Sequence, residues 1–307
     1  MKQKVGLSTS SKTLSALTPQ NDSAVEVLPL APVCILCSTD ASHHALYPGI
    51  LKCPSCGLVF ADAHVSAYDL RQLYQRKYFF GDEYLNYLED KPVLQKNFTA
   101  RIRTLRRFST GGGLFEIGSA YGFFLELAQR HWNAEGCDMS EEACRYAQQQ
   151  GLKATSGEFL HLPLNENQYD VVALWDTIEH LARPDLYVER ASRLLKRGGV
   201  LCATTGDIGS TMSILRKHRW RLIHPPTHLY YFDRSTIERL FVKHGLEIVH
   251  FEHCGYYRSL QQMLYTLLVL NHETPFRKRL YQILKPVFGF SLYLNLYDIM
   301  FVIARKK

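Results

Sequence analysis

The sequence predicts an α/β protein with a mostly parallel sheet, preceded by a short cysteine-paired segment and a helical connector. Strand-like and helix-like segments alternate from residue 113 onward, which is typical of a parallel sheet with crossover helices. Two C-x2-C pairs lie close together before residue 57. The chain has 307 residues, of which 46% are hydrophobic and 21% charged. That composition suits one large globular domain and a small one.

Composition also restricts the cellular setting. The formal net charge of +7 permits an acidic or lipid-surface partner without requiring one. Residues 1–30 are rich in Ser and Thr and lack the apolar core of a signal peptide, so a disordered tail is expected. No stretch offers about 20 uninterrupted apolar residues. Four of the eight cysteines are scattered through the chain, as is usual in a reducing compartment. We therefore expect a cytoplasmic protein.

The paired cysteines predict a metal site within residues 31–62. Cys34 and Cys37 form one pair, Cys53 and Cys56 form the other, and fifteen residues separate the pairs. This spacing is typical of a zinc ribbon, in which four thiolates surround one ion. Four protein ligands leave no open position, so the zinc is expected to be structural.

The other elements follow in chain order. Residues 63–110 are predicted to form a helical connector, and its aromatic residues Tyr74, Tyr78, Phe79 and Tyr84 are candidates for a lid. Within residues 111–307, strands are predicted at GLFEIG, NAEGCDMS, YDVVALWD, VLCATTGD, LEIVHFEH and YDIMFVIARKK. Helices are predicted at FFLELAQRH, EEACRYAQQQG, PDLYVERASRLLKRGG and STIERLFVKHG. Residues 256–290 are expected to be an amphipathic helical insertion.

A glycine turn follows the first of these strands. The dinucleotide pattern G-x-G-x-x-G fails there, because Ala120 and Phe123 occupy its second and third glycine positions. What remains is E-x-G-x-x-x-G, formed by Glu116, Gly118 and Gly122. An acid at this strand end suits a ligand with ammonium and sulfonium groups better than a pyrophosphate. Asp138, at the end of the next strand, is placed to take both hydroxyls of a ribose. An adenosyl-sulfonium amino acid has both features.

With these features, the chain resembles the class I S-adenosylmethionine-dependent methyltransferases. The matching stretches are LFEIGSAYGFFLELA, AEGCDMSEEACRYA, YDVVALWDTIEHLARP and LLKRGGVLCATT, which span roughly residues 113–206. The cysteine pairs and the stretch LYQRKYFFGDEYLNYL resemble a bacterial subgroup that carries an N-terminal zinc ribbon. The resemblance implies a Rossmann-like, mostly parallel sheet of seven strands, and S-adenosylmethionine and structural zinc as cofactors.

The resemblance also implies which residues bind the cofactor. Gly118 and Gly122 would let the backbone approach the methionine moiety, with Glu116 beneath it. Asp138 would hold the ribose, and Met139, Glu158 and Phe159 would border the adenine. Ser119 and Ala120 replace the more usual Cys-Gly but are both small. Trp175, at the end of YDVVALWD, completes the expected cofactor set; in the family's order, which has a further strand before Glu158, YDVVALWD is the fourth strand and VLCATTGD the fifth.

The acceptor side is expected after the fourth strand, where WDTIEHL places Asp176, Glu179 and His180 close together. Three interpretations stay open. His180 is a general base oriented by Glu179, or the two acids and His180 hold a divalent cation, or the group braces the next helix. His228, in the loop after the fifth strand, is the second candidate catalytic residue.

These patterns predict methyl transfer from S-adenosylmethionine to oxygen or carbon of a small-molecule, sugar or lipid-linked acceptor. The Asn/Asp-Pro-Pro-Tyr motif of exocyclic-amine methylation is absent after the fourth strand. The alternative is an RNA methyltransferase that holds RNA with the ribbon and with the basic runs Arg101, Arg103, Arg106, Arg107 and 216–221. The mixed apolar and basic insertion at 256–290 predicts contact with a membrane surface or a cap over the acceptor pocket.

Overall fold

The structure is a computed structural model, and it describes residues 34–39, 44–62, 87–265, 268–269 and 274–307. The expected tail at 1–30 and the candidate lid aromatics Tyr74, Tyr78, Phe79 and Tyr84 lie outside the described residues. Within the described part of the chain, no helix is long and apolar enough to span a membrane.

A seven-stranded sheet forms the centre of the fold. Its strands are β4 (Gly113–Ile117), β5 (Asn133–Asp138), β6 (Lys153–Ser156), β7 (Tyr169–Trp175), β8 (Leu195–Gly206), β10 (Leu246–His253) and β13 (Ile299–Lys306). Their order across the sheet is β10-β13-β8-β7-β4-β5-β6. The pairs from β6 to β8 are all parallel, and β13 is antiparallel to both β8 and β10. The expected mostly parallel, seven-stranded sheet is therefore confirmed.

Burial explains why these segments form strands. Four consecutive side chains of β7, Val171 to Leu174, are fully buried, as is typical of a parallel strand covered on both faces. Two apolar clusters cover the sheet: Leu174, Val188 and Leu240 belong to one, and Phe124 and Ile303 to the other.

Eight helices are described in and around this sheet. They are α1 (Lys91–Leu105), α2 (Phe123–Ala128), α3 (Glu141–Gln149), α4 (Pro184–Leu194), α5 (Thr211–Arg216), α6 (Arg234–Lys243), α7 (Leu260–Tyr265) and α8 (Pro275–Leu284). Local chemistry fixes several starts: the side chain of Ser140 accepts from Ala143 N, and Asp233 forms a capping box with Thr236.

The cysteine-paired segment forms a second, antiparallel sheet. Its strands are β1 (His44–Tyr47), β2 (Ile50–Lys52) and β3 (Val59–Ala61). A fourth strand, β9 (Tyr230–Tyr231), comes from the large domain, and Val59 pairs with Tyr231. This sheet therefore joins the cysteine-paired segment to the large domain.

Two predictions of local structure were wrong in detail. The predicted helix from 184 to 199 ends at Leu194, and β8 begins at Leu195, whose side chain is fully buried. The insertion begins with a strand, β11 (Tyr256–Ser259), which pairs antiparallel with β12 (Ser291–Leu294). Long-range pairing outweighs the helical pattern of 256–259. Helices α7 and α8 lie between these two strands.

Candidate active site

One cavity of about 310 Å³ lies at the carboxyl edge of the large sheet. It is bordered by residues at or just after the ends of β4, β5, β6 and β7, including Gly118, Asp138, Glu158 and Trp175. This edge is where open α/β sheets bind ligands. His180, His228 and residues of β11 also line it. The cavity thus joins the expected cofactor and acceptor sides.

The glycine turn after β4 requires its two glycines. Gly118 and Gly122 have φ angles of +77° and +76°, which residues with side chains rarely adopt. A Cβ on Gly118 would lie 2.7 Å from Thr177 Oγ1, and one on Gly122 would lie 2.7 Å from Leu152 Cδ1. Gly118 lines the cavity, whereas Gly122 allows close packing beneath the turn.

Asp138 connects this turn to the next strand. Its carboxylate accepts hydrogen bonds from Ala120 N and Ser140 N, both at 2.8 Å. Burial raises the pKa of Asp138, and the backbone N–H donors oppose that rise. The side chain therefore braces the glycine turn and also faces the cavity.

Three buried polar atoms near these strand ends have no partner among the described residues. They are Glu116 Oε2, Ser119 Oγ and Trp175 Nε1. Burial is the main cause that raises the pKa of Glu116 well above its ordinary value, and the negative charge of Asp138 adds to it. Buried polar atoms normally have a partner, so these atoms suit a bound polar ligand such as the amino-acid part of S-adenosylmethionine.

The expected adenine side is also assembled. Glu158 accepts hydrogen bonds from Tyr187 Oη and Leu160 N, which fix its carboxylate beside the buried ring of Phe159. Seven expected cofactor residues line the cavity: Gly118, Ala120, Asp138, Met139, Glu158, Phe159 and Trp175. Glu116, Ser119 and Gly122 are not among the described residues that line the cavity.

The structure brings the three expected catalytic residues together. Glu179 and His180 belong to a short 3-10 helix, Ile178–His180, and His228 lies in the loop before β9. One ligand atom from each of the three lies within 4.8 Å of the others. The imidazoles of His180 and His228 meet edge to face, with ring centroids 4.6 Å apart. Leu229 N donates to Glu179 O at 2.8 Å and holds the loop against the 3-10 helix.

Burial determines the charge of this cluster. It lowers the pKa of His180 to about 4 and, with the neighbouring His180, that of His228 to about 3. Burial and the nearby Asp176 raise the pKa of Glu179 to about 8. Both imidazoles are therefore neutral at pH 7, which is the form that binds a cation, whereas burial makes each of them a weak proton acceptor.

Asp176 is engaged elsewhere. Its carboxylate lies 3.3 Å from Arg101 Nη2 and accepts hydrogen bonds from Tyr256 Oη at 2.6 Å and Thr204 Oγ1 at 2.9 Å. Burial opposes ionisation, but Arg101 and these hydroxyls outweigh it and lower the pKa of Asp176. Asp176 thus anchors α1 and β11 to the end of β7.

Arg101 and Tyr256 are site residues that the sequence interpretation missed. The guanidinium of Arg101 is buried between aromatic rings, 5.2 Å from the centroid of Trp175 and 4.8 Å from that of Tyr256. Arg101 occurs in a basic run, which suggested a nucleic-acid surface. Its helical spacing from Phe98, Ile102 and Leu105 was the available signal, since all four lie on the buried face of α1.

The four paired cysteines form a compact cluster with the geometry of a metal site. Cys34 Sγ lies 3.4 Å from Cys56 Sγ, and Cys37 Sγ lies 3.6 Å from Cys53 Sγ. All four sulfurs lie within 4.8 Å of one another, and none of the four cysteines is in a disulfide. Sulfurs at about 2.3 Å from a tetrahedral zinc ion lie about 3.8 Å apart. The donor set and its size therefore fit Zn²⁺.

This cluster is fastened to the large domain. Lys243 Nζ donates to Ile35 O at 2.7 Å, and Arg239 Nη1 donates to Cys56 O at 3.4 Å. The cysteines pack in the same apolar cluster as Leu229 and Tyr230, next to His228. The cysteine cluster and the loop that carries His228 therefore share one packing unit.

Comparisons with known proteins give partial matches to this chain. Among curated proteins, the chain is 27% identical over 121 residues to uncharacterized protein MJ1123 of Methanocaldococcus jannaschii, covering 39% of this chain. It is 27% identical over 154 residues to a ubiquinone biosynthesis O-methyltransferase of Azoarcus sp., covering 45% of this chain. The chain spans 56% and 66% of the lengths of these two relatives.

Solved structures show the same fold. A chain in the complex between the Haloferax volcanii Trm112 methyltransferase activator and a candidate methyltransferase superposes with a TM-score of 0.50 at 18% identity, over 71% of this chain and 93% of that chain. The family model described as "Methyltransferase domain" matches residues 89–251, which is just over half of the 307-residue chain. The chain therefore belongs to the class I S-adenosylmethionine-dependent methyltransferase family.

Proposed function

We propose that the protein transfers the methyl group of S-adenosylmethionine to oxygen or carbon of a small-molecule, sugar or lipid-linked acceptor. One observation carries this proposal: a single cavity joins the strand-end residues Gly118, Asp138 and Glu158 to the cluster of Glu179, His180 and His228. The sulfonium is already activated, so in-line positioning of donor and acceptor supplies much of the rate.

Different residues bind the cofactor, handle the acceptor and hold the zinc ion. Asp138 holds the ribose, Glu158 and Phe159 border the adenine, and the buried atoms around Glu116 receive the methionine end. When the acceptor is a hydroxyl or an acidic carbon, the Glu179–His180–His228 cluster is placed to orient it and to assist the loss of its proton. The four cysteines hold a structural zinc ion, since four thiolates complete its coordination shell.

Direct binding tests the proposal. Calorimetry on the full, zinc-loaded chain is expected to show binding of S-adenosylmethionine and of its product, S-adenosylhomocysteine. Asp138→Ala is expected to weaken this binding at least tenfold, because both the ribose contact and the Ala120 N bond are lost. Leu215→Ser, an exposed change on α5, is the matched control. Absence of binding to a folded, zinc-loaded sample contradicts the proposal.

A surface next to the cavity favours a lipid-linked acceptor. The insertion surface, which we define as residues 274–297, carries most of the exposed large apolar side chains that the structure describes. They include Phe276, Ile283, Val287, Phe290 and Tyr297. Residues 274–297 contain four Lys or Arg residues and no Asp or Glu. Exposed aromatic and basic side chains together suit an anionic membrane surface.

The insertion surface is connected to the acceptor pocket. Strand β12 belongs to it and pairs with β11, and β11 residues Tyr256 and Arg258 line the cavity. Flotation with anionic vesicles is expected to recover the wild-type chain, and Phe276→Ser to reduce recovery. Leu215→Ser is again the control, because Leu215 and Phe276 are equally exposed at 74%. Equal loss with both variants, or no flotation, contradicts the membrane contact.

The alternative acceptor is RNA, held by the ribbon and by exposed basic residues. Arg103, Arg106, Arg107 and the run 216–219 are exposed, whereas Arg101 is buried in an ion pair. RNA binding through phosphates weakens steeply as salt rises. A titration of RNA at several salt concentrations separates the alternatives, because the small-acceptor function predicts no salt-dependent complex.

A further inference from the structure

We propose that Glu179, His180 and His228 form a second metal site, which binds a divalent transition-metal cation at the acceptor end of the cavity. The three ligands come from two separate segments, the 3-10 helix Ile178–His180 and the loop before β9. Their ligand atoms lie within 4.8 Å of one another, close enough to share one ion. The site is distinct from the four-cysteine cluster in both position and donor chemistry.

Backbone carbonyls orient both imidazoles for this role. Thr227 O lies 2.8 Å from His180 Nδ1, and Leu222 O lies 3.0 Å from His228 Nδ1. A neutral imidazole that donates from Nδ1 carries its lone pair on Nε2. Metal-binding histidines usually have this arrangement, since the second-sphere carbonyl fixes the tautomer and the ring orientation.

Glu179 supplies an independent observation. Glu179 is only 5% exposed, and its Oε2 has no hydrogen-bond partner among the described residues. A buried carboxylate oxygen without a partner is rare in folded proteins. A cation between Glu179 and the two imidazoles would supply the missing partner.

The structure also separates this cluster from Asp176. The carboxylate of Asp176 is engaged by Arg101, Tyr256 and Thr204, while His228 reaches the cluster from the loop. The sequence-based set of Asp176, Glu179 and His180 is thus replaced by one with two imidazoles and one carboxylate. Imidazole donors favour Zn²⁺, Co²⁺, Ni²⁺ or Fe²⁺ over Mg²⁺ and Ca²⁺, which prefer oxygen.

Three protein ligands leave coordination positions open, as in catalytic metal sites. Resting on the proposed function, we assign those positions to an oxygen of the acceptor, which is therefore a hydroxyl-bearing molecule. The cation lowers the pKa of that hydroxyl. The O–H bond breaks and its proton passes to water, the oxygen forms a bond to the methyl carbon, and the carbon–sulfur bond breaks. Neutral S-adenosylhomocysteine leaves with the former bond pair on sulfur.

The test is metal binding by the full chain, measured without an acceptor. Zinc-loaded protein is treated with a mild chelator and then titrated with Co²⁺, while bound metal is counted by mass spectrometry and visible absorption. The wild-type chain is expected to bind one Co²⁺ beyond the ion held by thiolates, with an absorption spectrum that lacks sulfur charge-transfer bands. Glu179→Gln and His228→Asn are each expected to weaken this second ion about 100-fold or more.

His224→Asn is the matched control. Its ring lies in the same loop, 6.1 Å from the ring of His228, but His224 is not in the three-residue cluster. It is expected to leave the affinity for Co²⁺ unchanged. Equal Co²⁺ binding by wild type, Glu179→Gln and His228→Asn overturns the metal site, as does equal loss with His224→Asn.

Binding of S-adenosylhomocysteine distinguishes this failure from failure of the proposed function. If both cluster variants and the wild type bind it equally, the proteins are folded and the metal result stands by itself. If the wild-type chain binds Co²⁺ at the cluster but not S-adenosylhomocysteine, the metal site holds and the methyltransferase proposal fails.

Discussion

Arg101→Met tests how the connector helix is held to the sheet. The substitution keeps most of the apolar stem of the side chain but removes the charge that faces Asp176 at 3.3 Å. Breaking a buried ion pair from one side costs about 3–5 kcal/mol. The side chain of Arg101 is 6% exposed, but that of Asp176 is 39% exposed, so screening by solvent on the Asp176 side reduces the electrostatic cost to about 2 kcal/mol. The stacking on Trp175 and Tyr256 adds about 1 kcal/mol.

The sum of about 3 kcal/mol corresponds to a fall in Tm of roughly 6–12 °C for a domain of this size. Thermal unfolding followed by circular dichroism measures it. Arg103→Met, an exposed arginine on the same helix, is expected to change the free energy of unfolding by about 0.5 kcal/mol or less. The double variant Arg101→Met with Asp176→Asn is expected to lose less than the sum of the single variants. Unchanged stability of Arg101→Met, or additive losses in the double variant, would refute the reasoning.

Three further predictions concern stability and cofactor binding. Burial and the charge of Glu89 raise the pKa of Asp90 to about 6. The folded state therefore binds the carboxyl proton of Asp90 more tightly than the unfolded chain does. Ionising this carboxyl lowers the free energy of unfolding as the pH rises through 6. Asp90→Asn is therefore expected to raise Tm by about 2–4 °C at pH 8, for about 1 kcal/mol after screening by solvent, and to bring no gain at pH 4; an equal gain at both pH values contradicts this. Cys56→Ser is expected to lower the zinc content by one ion per chain and to slow methyl transfer by loosening the loop before β9, while the far-ultraviolet signal of the large sheet is kept; full zinc content in this variant contradicts a four-thiolate site. Gly118→Ala is expected to weaken binding of S-adenosylhomocysteine more than Gly198→Ala does. Both glycines have φ near +78°, but only at Gly118 would the added Cβ have a neighbour within 4 Å. Equal effects of the two variants would assign the loss to backbone strain alone.

The sequence predicted the large sheet well because its signals are local. Strand β7 is a continuous apolar run, and Ser140 and Asp233 mark helix starts with their own side chains. Strand β9 has only two residues, and it forms because Tyr231 pairs with Val59 from a distant part of the chain. No local pattern specifies such a pairing. Strand β11 was missed for a related reason, since its partner β12 is more than thirty residues away, beyond the described helices α7 and α8.

In the candidate site, too, local sequence predicts some residues, and long-range packing determines the others. Strand-end acids such as Glu116 and Asp138 were predictable, because parallel strands bring their carboxyl ends to one edge. The position of Glu179 next to His180 is also visible in the sequence. The approach of His228 is not, because it depends on how the loop before β9 packs against the 3-10 helix. Arg101 was predicted to lie on an exposed basic surface, but Asp176 and two aromatic rings bury its charge here.

The pairing of β3 with β9 has a consequence for synthesis of the chain. Val59 leaves the ribosome long before Tyr231, its partner in the sheet. At about 5–20 residues per second, the edge of β3 waits roughly 10–30 s for that partner. An exposed strand edge is a template for unwanted pairing. Early metal loading of the cysteine cluster would keep the short hairpin of β2 and β3 folded through this interval, so zinc supply would influence the yield of intact protein as well as its final stability.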